Sequence, residues 1–338
     1  MKSLNVLVIA PAFDRSVPHA AEEDLKRISL AAPGIKVTDA SELAVAEHRG
    51  DPTAKAKLDT ILAETEVIYG LILPQPLLTR APRLKWVQTM SAGVDRFARM
   101  DIWLSPVIIT GVSGIHATPI GEFALEMMLM FAKQASLCFQ MKQKHEWKRF
   151  MPSTLRGKTV GIVGLGNIGR EIARLSKAFG MRVIANRRSP TKQKRARYVD
   201  MLYPAGQLEQ LLAESDFVVV ATPLTPETRG LIGEKELRAM KPSAYIINIA
   251  RGGIIDEEAL IRVLDEKRIA GAGLDVVATE PLPPESRIWD FDNVILSPHV
   301  AGGMEDYMER ATEVFCENLR CYLSGKKLLN VVDRKKGY

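Results

Sequence analysis

Thr159-Val160-Gly161-Ile162-Val163-Gly164-Leu165-Gly166-Asn167-Ile168-Gly169 decides the fold. A short buried strand runs straight into G-x-G-x-x-G, and residues 168–179 leave the turn with helical spacing. A glycine-rich hexamer alone says little; strand, turn and helix together are the context in which it holds a dinucleotide. Each glycine has its own reason. Gly164 permits the tight turn, Gly166 lets the backbone approach a pyrophosphate, and Gly169 lets helix and strand pack closely. The helix-start amides of Asn167, Ile168 and Gly169 then face the phosphates. A βα turn with no ligand is the plainer alternative.

The same alternation extends both ways. Downstream, strands read at 182–185, 217–221, 245–249, 273–277 and 294–297, with helices at 207–213, 234–239 and 256–266 between them. Upstream, strands read at 6–9, 67–73, 86–89 and 107–110, with an amphipathic stretch at 21–31. Short apolar runs alternating with helical patterns predict mostly parallel sheets covered by helices. Residues 118–138 read as one long helix, with Thr118 at the N-cap and Pro119 at its first position. A second long helix, 305–324, precedes a basic tail with Arg334, Lys335 and Lys336. The fold class is α/β, with two doubly wound parallel-sheet domains.

Composition narrows the class further. At 338 residues the chain exceeds what one core usually supports. Hydrophobic residues at 46% and charged residues at 25% are ordinary for a soluble globular protein. Cys138, Cys316 and Cys321 are too few for a disulfide scaffold. The most apolar stretch, 123–132, is interrupted by Glu126 and falls short of the ~20 residues a membrane span needs. The start runs into Pro11 and Phe13-Asp14-Arg15, which suits a strand better than a signal peptide and points to the cytoplasm. His19, His48, His116 and His145 have no motif support and are spaced unlike metal ligands, so no metal is expected. Lys+Arg 46 against Asp+Glu 40 gives +6, which raises the question of an anionic partner. No helix-turn-helix, zinc finger or aromatic-interleaved basic stripe appears, so no nucleic acid is expected.

The strand after the glycine turn indicates which dinucleotide. NAD enzymes place Asp or Glu about 20 residues on, bonded to the ribose hydroxyls. Here Asn186-Arg187-Arg188-Ser189 stands at that place, with Lys192, Lys194, Arg195 and Arg197 continuing the positive field. A carboxylate would repel a 2′-phosphate, whereas guanidinium groups bind one well. Asn186, Arg187, Arg188 and Ser189 therefore read as a 2′-phosphate pocket, hence NADP(H), with NAD(H) possible. A solvated basic loop is the alternative.

Three later strand ends carry Arg251, Glu280 and His299. Ligands of open α/β sheets bind beyond such ends, so these side chains can converge. Reduction of a 2-keto acid makes an alkoxide that needs a proton, and histidine is the natural donor near neutral pH. A bonded carboxylate fixes its tautomer and favours the imidazolium. Arginine can hold the substrate carboxylate and polarise the carbonyl. Taken singly, each has a plainer reading: a loop histidine, a strand-end arginine, a turn acid.

Together, Gly164 to Gly169, Asn248-Ile249-Ala250-Arg251-Gly252-Gly253, Asp275 to Pro281 and Ser297 to Gly302 resemble the D-isomer-specific 2-hydroxyacid dehydrogenase family over nearly the whole chain. The resemblance implies catalytic roles for Arg251, Glu280 and His299, and a contact of Asp275 with the nicotinamide carboxamide. It adds Ala250 and Gly302 to the cofactor site, and Pro223 and Thr228 to a loop beside the adenosine half. Ser91-Ala92-Gly93-Val94-Asp95 looks like the turn whose amides, at Ala92, Gly93 and Val94, receive the substrate carboxylate; a simple strand-to-helix connection is the alternative. Architecture in the family implies a discontinuous substrate domain, 1–114 with 300–338, and a dinucleotide domain, 115–299, inserted within it. It also implies a homodimer, with Trp147 on an arm near the partner's active site. Met127, Met128 and Met130 suit either an interface or ordinary core.

The leading expectation is an NADPH-linked reductase of small 2-keto acids such as glyoxylate and hydroxypyruvate. Leu71, Ile72 and Leu73 are expected at the mouth of the substrate pocket. A dehydrogenase-like corepressor, a dinucleotide-sensing dimer that docks proteins, is the second class.

Overall fold

The computed structural model describes residues 3–10, 20–189 and 191–337. The chain divides into two compact units: Met1–Ile115 with Met304–Tyr338, and His116–Gly303.

The first unit is built on five parallel strands, β1 (Leu4–Ile9), β2 (Ile35–Asp39), β3 (Val67–Gly70), β4 (Trp86–Thr89) and β5 (Ile108–Thr110), in the order β2-β1-β3-β4-β5. Every residue of β3 and β4 is buried, as a sheet covered on both faces requires. Helices α1 (Glu22–Ser29), α2 (Ser41–His48), α3 (Pro52–Glu64) and α4 (Leu77–Arg80) make the connections. The sequence pattern marks neither β2 nor α2. β2 is a half-buried edge strand, and α2 buries none of its residues, so it carries no apolar stripe to read. β3 ends at Gly70 rather than Leu73, and Leu73 joins the core of this unit while Ile72 stays exposed.

The second unit opens with α5 (Ala117–Lys133) and α6 (Ala135–Gln143), which replace the single helix expected over 118–138. Gln134 adopts a left-handed φ of 55°, and its N–H bonds back to the Met130 and Phe131 carbonyls. Good helix formers flank the break, so no sequence signal announces it. The N-cap is His116, not Thr118. Met127 and Met128 face the core. Then follow β6 (Thr159–Val163), α7 (Asn167–Ala178), β7 (Arg182–Arg187), β8 (Lys194–Ala196), β9 (Val199–Pro204), α8 (Leu208–Glu214), β10 (Phe217–Val220), α9 (Glu234–Ala239), β11 (Tyr245–Asn248), α10 (Glu257–Asp265), β12 (Gly271–Leu274) and β13 (Val294–Leu296). The sheet order is β13-β12-β11-β10-β6-β7-β9-β8, all parallel except β8, which runs antiparallel to β9. β8 falls in the stretch read as a basic loop; it is the last strand of the order, and its lysine and arginine suit an exposed edge.

Two contacts show why the helices cover this sheet. α7 buries Gly169, Ile172, Ala173 and Ser176, one stripe at helical spacing. Gly121 of α5 sits so close to α7 that a Cβ there would lie 2.8 Å from Glu171 Cγ. The chain then returns to the first unit as α11 (Tyr307–Leu323). Phe315 of α11 stacks on Tyr69 at 4.3 Å and tilts against Trp86 at 5.3 Å. Beyond it, Val331 bridges Thr110, and the Arg334 guanidinium donates to the Val107 carbonyl. The basic tail is thus part of the first unit's packing.

Candidate active site

Strand order places the sequence-derived residues of the second unit in one row. β6 is the switch point, with β7 on one side and β10 on the other. Reading across neighbouring carboxyl ends, His299 follows β13, Asp275 and Glu280 follow β12, and Arg251 follows β11. The loop with Pro223 and Thr228 follows β10, the glycine turn follows β6, and Asn186 to Ser189 close β7. Five strand intervals at ~4.8 Å make the row roughly 24 Å long. Two nucleotides laid end to end fit that length, with reactive groups at one end and basic groups at the other.

The glycine turn has the shape its residues demand. Gly164 has φ +102°, and a Cβ there would lie 2.8 Å from the Ala221 carbonyl oxygen. A Cβ on Gly169 would come within 2.2 Å of the Gly164 oxygen. Gly166, the N-cap of α7, instead faces open space. The turn is closed wherever the protein needs contact and open where a pyrophosphate would approach, so the residues present fit a dinucleotide.

Asn186 lies apart from its three neighbours. It is buried, and its side-chain oxygen accepts the Gly164 N–H at 3.2 Å. It therefore buttresses the glycine turn, while Arg187, Arg188 and Ser189 remain exposed. Across the row, Glu227 has its carboxyl held below the usual range, first by the Thr225 hydroxyl and, more weakly, by the Arg188 charge. Thr228 braces that loop from within, its hydroxyl donating to the Pro223 carbonyl at 2.6 Å and accepting the Thr225 N–H at 2.7 Å.

At the other end, His299 Nδ1 and Glu280 Oε2 stand 2.7 Å apart, both partly open to solvent. The carboxylate can only accept, so Nδ1 carries its proton and Nε2 is the ring's other nitrogen, outside this contact. His299 has a left-handed φ of 55°, a conformation that costs a non-glycine residue on the order of 1–3 kcal/mol. Asp275 holds the turn against that cost. Its carboxylate, 3% exposed, accepts from Ser297 Oγ at 2.8 Å, the Val300 N–H at 2.8 Å and the Ala301 N–H at 3.1 Å. Its carbonyl accepts the His299 N–H at 2.8 Å. Most of the acceptor capacity of Asp275 is therefore committed to the His299 turn.

Arg251 is set by a residue that the sequence reading left within a motif and gave no task. Asn248, 1% exposed, donates to the Arg251 carbonyl at 3.0 Å and accepts the Ala250 N–H at 3.1 Å. Gly252 then meets the Val277 carbonyl so closely that a Cβ would lie 1.9 Å from its oxygen. These contacts lock the β11 end onto the β12 end that leads to Glu280. Ala92, Gly93 and Val94 belong to the other unit, in the turn after β4, where the Gly93 N–H bonds to Ser91 Oγ at 3.2 Å.

His116, which carries no motif, also belongs to the second unit. Burial first, and the Arg251 charge second, push its pKa from 6.5 down to about 4. Between those values the unfolded chain binds a proton that the folded chain refuses. Its contribution to stability is full above about pH 6.5 and is lost as pH falls towards 4. His116→Gln is expected to lose roughly 2–3 kcal/mol less stability than the wild type on acidification from pH 7 to pH 4. Urea denaturation at both pH values checks this; equal acid losses would refute it.

Residues 125–301 match the sequence profile of the D-isomer specific 2-hydroxyacid dehydrogenase NAD binding domain. The chain belongs to that family. The 2-hydroxyacid dehydrogenase relatives include the glyoxylate reductase of Aeropyrum pernix, 36% identical over 80% of this chain and 84% of its own. Among solved structures, a D-isomer specific 2-hydroxyacid dehydrogenase from Xanthobacter autotrophicus, in complex with NADPH and MES, matches over all of both chains at 32% identity and a TM-score of 0.83. An NADPH-dependent glyoxylate/hydroxypyruvate reductase from Sinorhizobium meliloti, in complex with NADP and sulfate, matches at 30% identity and 0.82, covering 99% of this chain and 100% of that one. As a 2-hydroxyacid dehydrogenase the chain is an NAD(P)-dependent oxidoreductase with a two-domain α/β fold. No helix among the described residues is long and apolar enough to cross a membrane.

Proposed function

We propose that the protein is an NADPH-preferring reductase of small 2-keto acids, glyoxylate and hydroxypyruvate foremost, that forms D-2-hydroxy acids with His299 as proton donor. The observation that carries this reading is the 2.7 Å His299–Glu280 pair at one end of a row whose other end presents Arg187 and Arg188 where the acid of an NAD site would stand. The NADPH held by the Xanthobacter protein and the NADP held by the Sinorhizobium protein support the cofactor choice.

When bound, the reduced nicotinamide supplies the hydride to the carbonyl carbon. Arg251 pairs with the substrate carboxylate and draws electron density from the carbonyl oxygen. His299 delivers its Nε2 proton to the oxygen as negative charge builds there. Glu280 accepts from Nδ1 and fixes the ring's orientation through the transfer. The amides of Ala92 and Val94 are assigned to the substrate carboxylate as backbone donors, the Gly93 N–H being bonded to Ser91 Oγ. Arg187, Arg188 and Ser189 are assigned to the 2′-phosphate.

Chiral chromatography of the product tests the reading. Incubation with hydroxypyruvate and NADPH should yield the D-2-hydroxy acid; an L product would contradict it. No turnover across a broad keto-acid panel, together with cofactor-dependent dimerisation, would favour the corepressor reading instead.

We also propose a homodimer. Phe139, Trp147 and Met151 are 60%, 97% and 91% exposed on α6 and the segment after it, an apolar surface that a second copy of this chain would cover. Sedimentation should give about twice the 37.4 kDa chain mass, and Trp147→Glu should shift it towards the monomer. A wild type sedimenting as a monomer would contradict this.

A further inference from the structure

The reductase reading uses Arg251, Glu280 and His299 and leaves His116 without a task. Its placement is specific. It stands at the start of α5, an element separate from the three strand ends, and its carbonyl accepts the Ile120 N–H at 3.1 Å. Its ring lies against Gly302, three residues beyond His299. A Cβ on Gly302 would lie 2.9 Å from His116 Cδ2 and 3.8 Å from Nε2. Gly302 does not have a positive φ, so the backbone alone would tolerate alanine there; the neighbouring ring is what demands glycine. Asp275 therefore holds the catalytic turn from one side, through Ser297, His299, Val300 and Ala301, and His116 meets its far end. The Arg251 charge reaches the same ring, which stays neutral at working pH.

We propose that His116 is a positioning residue of the reduction site, whose ring seats the turn carrying His299. This rests on the reductase reading. Neutrality matters because a second cation here would compete with Arg251 for the substrate carboxylate and turn the carbonyl away from His299. A neutral ring supplies the seat without that competition.

The test is a double-mutant cycle on the full chain, with Gly302→Ala, His116→Ala and both together. It is read as Tm without cofactor and as kcat and KM with glyoxylate and NADPH. Gly302→Ala should lower kcat about tenfold and lower Tm. With His116→Ala the added methyl has room, so both penalties should shrink at least about threefold. His116→Ala alone should lower kcat while KM for NADPH stays within about twofold. His116→Gln, polar and neutral, should restore most of kcat; His116→Lys should not, and should raise KM for the keto acid. Penalties at Gly302 that are equal in both backgrounds, or a His116→Lys variant matching His116→Gln, would overturn the proposal. Absence of turnover in the wild type would overturn the reductase reading instead, and an additive Tm cycle beside intact wild-type turnover would overturn the His116 seat alone.

Discussion

His299→Ala is expected to lower kcat for keto-acid reduction by roughly 10²–10⁴-fold, the range that a positioned general acid supplies, while leaving the affinity for NADPH within about twofold. The size of the effect follows from the geometry. Glu280 engages Nδ1 at 2.7 Å, so the imidazole is held in one tautomer and Nε2 is the nitrogen the proposed mechanism uses as donor. Removing the ring leaves the alkoxide to take its proton from water and leaves Glu280 without its partner. The glycine turn and the basic end lie several strands away, so cofactor binding should hardly change. Steady-state kinetics with a fluorescence titration of NADPH separates the two quantities. An unchanged kcat would remove His299 from the mechanism.

Arg187→Ala combined with Arg188→Ala is expected to weaken NADPH binding by about 10²-fold and NADH binding by no more than about threefold. Hydrogen bonds to charged groups contribute about 1.5–3 kcal/mol each, and solvent exposure places this pair at the lower end of that range. Two such contacts to one 2′-phosphate account for the expected factor. Both side chains are exposed at the end of β7, and the Glu227 carboxyl, held below its usual range first by the Thr225 hydroxyl, also feels the Arg188 charge. Titrations of the double variant with both cofactors check this. Equal losses for NADPH and NADH would mean that the pair only shapes the loop.

The nucleotide turn was legible because its glycines are steric necessities. Gly164 needs a positive φ, Gly169 has no room for a Cβ, and both constraints leave a spacing that can be read without coordinates. The His299, Glu280 and Arg251 set was legible for a topological reason: each follows a strand, and strands of a parallel series end at one edge. What stayed hidden depends on where a side chain points. Asn186 reads like the first residue of a phosphate pocket, yet it turns inward to Gly164. Asn248 and Ser297 reach backbone and carboxylate partners that only the turns bring near. His116 is distant in sequence from every motif and meets Gly302 only through the packing of α5. The break at Gln134 carries no glycine or proline to announce it, and β8 is three residues long, two of them charged, with no apolar alternation to read. The basic tail gains a structural explanation: Arg334 binds the Val107 carbonyl, and Lys336 pairs with Asp333 at 2.6 Å.

We propose reduction of a small 2-keto acid by NADPH in preference to NADH. It is tested most directly by kcat/KM for glyoxylate measured with each cofactor in turn under the same conditions. The expected result is clear turnover with NADPH, at a kcat/KM at least about tenfold above that with NADH, in keeping with two guanidinium groups in place of an acid at the end of β7. A preference for NADH, or no glyoxylate turnover with either cofactor, would contradict it.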